Sequence, residues 1–149
     1  MFLADDAVEA RARGWRVLAA LHARLESRIE RALQDAHGLS VSEYTVLDVL
    51  SRQDGWHMRM QQLAGAVVLS QSATTRLVTR LETQGYLGRY LCDTDRRGIY
   101  TEVTEAGCEL LAAARETHDA ALRAAMDDAA GSPELKPLVD ALNELHATP

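Results

Sequence analysis

The run Leu69–Val103 constrains the fold more than any other part of the chain. It holds an amphipathic stretch, a glycine, and then two β-type runs joined by a polar loop. Ser70 suits a helix N-cap, where its hydroxyl accepts from an orphan amide of the first turn. Gly85 stands where a helix-ending glycine belongs. Between them Ala73, Leu77 and Leu81 recur every four residues and predict one buried stripe. The opposite face carries Gln71, Ser72, Thr75, Arg76 and Thr79, short hydrogen-bonding side chains plus a guanidinium. That combination suits reading base edges in a major groove. An isolated polar face is ordinarily just solvated, so the flanking chain has to decide between the two.

After Gly85, Leu87–Cys92 and Ile99–Val103 flank a polar loop at 93–98 and read as a hairpin, with a loop longer than the tightest turns. Upstream, residues 56–59 suggest a brief strand, and MQQLAGAVV a short helix that a tight turn at Leu69-Ser70 joins to the next. This is the helix-turn-helix arrangement. Ser40 and Glu43 form a capping box for a helix with Tyr44, Val46, Leu47 and Leu50 inward, closed by Gly55. Residues 5–37 predict a long helix ended by Gly38, with Trp15, Leu18, His22, Leu25, Ile29 and Leu33 on one face. Thr104 caps a second long helix over about 104–129, broken by Gly131. Ser132-Pro133 opens a last one, with Leu135, Leu138, Val139, Leu142 and Leu145 as its seam. The expected fold is mainly α with a small β-wing: a winged helix-turn-helix DNA-binding domain at 38–103, between dimerisation helices at 1–37 and 104–149. The first helix is longer than a compact domain of this size can cover, so its stripe predicts a homodimer, most simply a two-fold one.

The formal net charge of −6 at first disfavours DNA, but its distribution reverses that. Residues 56–100 hold six arginines against three acids, whereas 101–149 hold three basic residues against ten acids. Charges beyond about 10 Å are screened at ordinary salt, so a basic centre attracts phosphate despite acidic ends.

Arg76-Leu77-Val78-x-Arg80-Leu81-Glu82-x-x-Gly85-Tyr86-Leu87, then Asp95-Arg96-Arg97 and Val103-Thr104-Glu105-Ala106-Gly107, resemble the signature of MarR-type transcriptional regulators. Leu39-Ser40-x-x-Glu43-Tyr44-x-Val46-Leu47 and Arg59-Met60-x-x-Leu63-Ala64 extend the likeness over nearly the whole chain, with Val103 where leucine is usual. The resemblance implies a dimer whose winged domains dock on a palindromic operator in double-stranded DNA. Each recognition helix would enter a major groove and each wing an adjacent minor groove. The candidate DNA contacts are Ser70, Gln71, Ser72, Thr75, Arg76, Thr79 and Arg80 on the helix, and Asp95, Arg96 and Arg97 on the wing. Arg80 lies near the buried boundary and suits an intramolecular ion pair equally well. Arg97 is the expected minor-groove probe, with Asp95 orienting an arginine.

The resemblance also implies a pocket for a small, often aromatic or anionic effector, for which Trp15, His22, Tyr44 and Asp48 are the candidate contacts. The expected role is a cytoplasmic repressor released by such a ligand. There is no apolar run of the ~20 residues a membrane span needs, no basic-then-apolar leader, and no enzymatic or metal motif among five scattered histidines. Neither a catalytic residue nor a cofactor is expected. Two readings compete with DNA regulation by ligand. One is a winged-helix interaction module without specific DNA binding. The other is a thiol-based redox regulator using Cys92 or Cys108, although peroxide-sensing members of the family place their cysteine near the N-terminus and residues 1–91 hold none.

Overall fold

The computed structural model describes residues 2–92 and 95–145, and the side chains of 6–91 and 98–145. In chain order the elements are α1 (Phe2–His37), α2 (Val41–Ser51), a 3-10 turn (Asp54–Trp56), β1 (His57–Arg59), α3 (Met60–Ala66), α4 (Gln71–Thr83), β2 (Leu87–Cys92), β3 (Asp95–Val103), α5 (Glu105–Ala130) and α6 (Lys136–Glu144). The expected mainly helical fold with a small antiparallel wing is present. Contacts divide the chain into a helical unit, residues 1–32 with 118–149, and a winged unit, residues 33–117. These boundaries fall inside α1 and α5, away from the glycine and threonine where the pattern changes in sequence.

In the winged unit, Leu33, Leu39, Val46, Leu47, Leu50, Leu63, Val78, Leu81 and Leu111 are among the side chains removed from water. The sheet order is β1-β3-β2, all antiparallel, with Arg59 opposite Tyr100 and Tyr90 opposite Tyr100. Strand β3 begins at Asp95, four residues before the expected start. Its ladder continues past Ile99 through a register shift between Leu91 and Cys92, which side-chain alternation does not reveal.

Local chemistry sets the element ends. Ser40 Oγ accepts from the Glu43 amide at 3.0 Å, while Glu43 Oε1 accepts from the Ser40 amide at 3.2 Å, the reciprocal box expected. Gly85, at φ +85°, ends α4, and Tyr86 N–H returns to the Leu81 carbonyl at 2.9 Å. At the start of α5, Thr104 Oγ1 donates to the Gly85 carbonyl and accepts from the Gly107 amide. Gly107 is required here by space, since an added Cβ would stand 2.3 Å from the Tyr86 carbonyl oxygen. Three segments thus converge on one junction: the end of α4, the base of the hairpin and the start of α5.

Three expectations about helices are corrected. Helix α2 ends at Ser51 rather than at Gly55, which instead sits at φ +71° inside the 3-10 turn. Helix α6 starts at Lys136, because the Ser132 carbonyl accepts from both Leu135 and Lys136 amides in a preceding turn; Pro137, not Pro133, lies in its first turn. In α1 the covered residues of the helical unit are Val17, Leu21 and Leu25, packed on Leu122, Ala125, Ala129, Leu135 and Val139. Trp15 and Leu18 are 71% and 46% exposed, and the His22 side chain is also largely in solvent. Leu25, Ile29 and Leu33 of the expected face are buried, but its first half is not, because the buried side advances in four-residue steps from Val17 through Leu33. Each such step rotates about 40° on a helix of 3.6 residues per turn, so the covered side winds around α1.

Candidate nucleic-acid interface

Helix α4 buries Thr74, Val78 and Leu81. The stripe is therefore rotated from the expected Ala73, Leu77 and Leu81, with Ala73 and Leu77 only half-buried. Thr74 tolerates full burial because its hydroxyl donates to the Ser70 carbonyl at 2.9 Å. Rotation leaves Ser70, Gln71, Ser72, Thr75, Arg76, Thr79 and Arg80 exposed.

What this face offers a ligand depends on where its hydrogens already go. Ser70 Oγ accepts from the Ala73 amide at 3.1 Å and is the N-cap. Thr75 donates to the Gln71 carbonyl at 2.9 Å and Thr79 to the Thr75 carbonyl at 2.8 Å. Back-bonded threonines present a methyl group and an accepting oxygen rather than a free proton. Those groups suit thymine methyls and exocyclic amines, while Gln71 and Arg76 supply the donors.

Two further arginines enter the picture. Arg89 of β2 donates from Nε to Glu82 at 2.8 Å and from Nη2 to Thr79 at 2.6 Å, tying the hairpin to α4 and engaging the Thr79 oxygen. Arg59 of β1 donates from Nε to the Tyr100 hydroxyl at 3.1 Å, its guanidinium 5.6 Å from that ring centre. Arg59 figures in sequence only within the family likeness and Arg89 only in the charge balance, so neither is a candidate contact there. Arg80 lies 3.7 Å from Glu43 Oε1, the ion pair its boundary position suggested. Glu43 is only 2% exposed, and its Oε2 has no hydrogen-bond partner, so Arg80 is the cation that offsets a buried carboxylate. The backbone of Asp95, Arg96 and Arg97 belongs to β3, but their side chains, like that of Cys92, lie outside the described residues. Cys108 is a half-buried free thiol of α5.

The four candidate effector residues occupy different environments. Trp15 and His22 are on exposed parts of α1, His22 being 3.7 Å from Glu26. Tyr44 is buried in the winged core at 6% exposure. One turn on, Asp48 receives Arg52 Nε and Arg115 Nη2, each at 2.9 Å. Burial raises its pKa, but the two guanidinium groups outweigh that and hold the carboxyl below the usual range. A ligand at Asp48 therefore has to displace an arginine. Among the described residues no group of histidines, cysteines and acids is placed to hold a metal ion, and no helix is long and apolar enough to cross a membrane.

A short helix, a tight turn, a helix with an exposed polar face and a three-stranded wing define the winged helix-turn-helix class. Comparison with known proteins agrees. Residues 37–98 match the model of the MarR family. The solved structure of AbsC, a MarR family transcriptional regulator from Streptomyces coelicolor, is 31% identical with a TM-score of 0.72, covering 89% of this chain and 93% of that one. A second such regulator from the same organism, solved in complex with DNA, is 29% identical with a TM-score of 0.74, covering 87% of this chain and 80% of its own. The HTH-type transcriptional regulator MhqR of Bacillus subtilis is 32% identical over 92 residues, which is 57% of this chain and 62% of MhqR. The Escherichia coli transcriptional repressor MprA is 30% identical over 76 residues, 51% of this chain and 43% of MprA. The chain thus spans about half of these curated relatives. It belongs to the MarR family of transcriptional regulators, which are not enzymes.

Proposed function

We propose that the protein is a homodimeric, cytoplasmic repressor that binds a palindromic operator in double-stranded DNA and is released by a small aromatic or anionic effector. The observation that carries the DNA contact is the exposed face of α4, with Gln71, Ser72, Thr75, Arg76 and Thr79 all in solvent in the basic third of an acidic chain. In this reading α4 reads a major groove and the wing residues Asp95, Arg96 and Arg97 reach the neighbouring minor groove.

Dimerisation is supported by the side of α1 left uncovered. Val8, Trp15 and Leu18 form an exposed apolar strip, and Leu142 and Leu145 are exposed at the end of α6. Burying large apolar side chains against a second copy removes them from water at roughly 25 cal/mol per Å2. Two-fold pairing then presents two recognition helices, and an operator read by both has half-sites about one helical turn, or ~34 Å, apart. An effector that prefers a dimer with another spacing shifts the population away from the DNA-bound form. Trp15, His22, Tyr44 and Asp48 are the proposed contacts for it.

Selection of bound sequences from random duplex DNA tests the reading. The expected result is an enriched palindrome. Arg97→Ala then weakens binding to it and makes the salt slope shallower by about one. Absence of any enriched sequence would leave a winged-helix interaction module instead. Adding small aromatic acids to the same assay tests release.

A further inference from the structure

Next to Gln71, one of the DNA-facing residues, the structure holds an arginine not yet assigned to DNA. A hollow of about 230 Å3 opens between the starts of α3 and α4 and the loop-side half of β3, lined by Arg59, Met60, Gln61, Gln71, Gly98 and Ile99. We propose that Arg59 anchors one phosphodiester of a DNA strand in this hollow. The inference rests on the reading above, in which α4 and the wing occupy adjacent grooves.

Position supplies the first reason. Two neighbouring grooves of a duplex are separated by one sugar–phosphate strand. A protein with a helix in one groove and a hairpin in the next must straddle that strand. Gln71 is the first residue of α4, and Gly98 and Ile99 follow the wing residues directly in β3. The hollow between them is therefore where the strand passes.

Its chemistry is the second reason. The described lining brings together a guanidinium and two carboxamides, all able to donate to an anion. A guanidinium offers a planar donor fork that matches phosphate oxygens. Arg59 is also held in place. It pairs directly with Tyr100 across the β1–β3 ladder, donates through Nε to the Tyr100 hydroxyl, and lies over that ring. Fixing the side chain beforehand lowers the ordering cost of binding. Gly98 borders this pair closely, since an added Cβ would come into contact with Arg59 Nε and Tyr100 Cε2, each at 3.4 Å. A phosphate contact carries no base information, so Arg59 strengthens binding to every duplex alike.

The test measures affinity of the full chain, over a series of salt concentrations, for the selected operator duplex and for a scrambled duplex. Arg59→Gln is expected to weaken both by a similar factor, on the order of tenfold, and to make the slope of log K against log salt shallower by about 0.9. Tyr100→Phe, which keeps the ring and the charge, is expected to lower affinity about two- to threefold with the slope unchanged. Arg59→Lys is expected to keep the slope and lose affinity, because a point cation replaces the fork. An unchanged slope in Arg59→Gln, or a loss confined to the operator, overturns the phosphate assignment while leaving the DNA reading intact. If Arg59→Gln does not fold, Arg59→Lys with full wild-type affinity overturns the oriented-fork assignment. A wild-type protein that binds neither duplex instead removes the DNA reading itself.

Discussion

The winged unit adds to its apolar core a set of side-chain hydrogen bonds that tie its elements together. Thr104 bridges the Gly85 carbonyl and the Gly107 amide, Ser40 and Glu43 cap each other, and Arg89 joins β2 to α4. The helical unit depends on one apolar cluster, Leu21, Leu25, Ala125, Ala129, Leu135 and Val139, flanked by exposed ion pairs such as Arg28–Asp128 and Arg13–Glu134. Exposed ion pairs contribute little. A directional network can be completed inside one short chain. An apolar cluster covers only the side of α1 that meets it, and leaves Val8, Trp15 and Leu18 in water. The winged unit also leaves apolar side chains in water, among them Val68, Leu91 and Ile99, but these sit on a turn and the hairpin. Val8, Trp15 and Leu18 instead share one side of a helix, a face that a second copy can complete.

The largest effect that breaks this contrast comes from Gly107→Ala. The new methyl meets backbone at Tyr86, which cannot swing aside like a flexible side chain. A loss of about 3 kcal/mol is expected by denaturant unfolding, at the upper end of ordinary overpacking costs. A change below about 0.5 kcal/mol would show that the junction between α4, the hairpin and α5 is loose.

Trp15→Asp with Leu18→Asp addresses the other unit. Dimer dissociation measured by sedimentation is expected to rise at least about 100-fold, as for loss of buried aromatic anchors at an interface. Because neither side chain is in the monomer's core, helix content is expected to hold in the resulting monomer. An unchanged dissociation constant would exclude this strip from the interface.

Val68→Gly is expected to act in the opposite direction. Val68 is 87% exposed and sits at φ +56°, a left-handed conformation that a β-branched residue adopts only under strain. Glycine relieves that strain, and its greater unfolded-state entropy offsets part of the gain. A net stabilisation of about 1 kcal/mol is expected, read as a higher denaturation midpoint.

The smallest effect is a pH dependence at Asp48. Arg52 and Arg115 hold the folded carboxyl below its usual pKa despite partial burial. The contribution is therefore complete above the unfolded value, about 4, and fades as pH falls through the lower folded one. The melting-temperature gap between wild type and Asp48→Asn should be widest near neutrality and narrow at the most acidic pH the fold survives. A gap that widens on acidification would contradict the pairing.

Much of the local structure was legible in the residues. The Ser40–Glu43 box, the Ser70 cap, the Gly85 stop and the Thr104 cap each use partners within a few residues, so spacing alone identifies them. The exposed face of α4 was legible too, although its buried stripe was shifted to admit Thr74, a polar residue satisfied by its own backbone. The winding buried side of α1 was not, because both a straight and a winding set of apolar residues are present and only α5 and α6 select between them. Arg59 and Arg89 stayed hidden for a related reason. Their partners Tyr100 and Glu82 are 41 and 7 residues away, and only strand pairing and turn geometry bring them near.

By itself, then, the sequence determined the caps at Ser40, Ser70 and Thr104, the stop at Gly85, and which stretch carries the polar, arginine-bearing face. Those properties follow from capping, glycine conformations and periodicity, all of which act over one or two turns. Only the tertiary structure decided which side of α1 is covered, that Arg80 stands beside a buried Glu43, and that Arg59 lines the hollow between α4 and the wing. Burial and charge pairing depend on surfaces from distant segments, and no local pattern specifies which of them will meet.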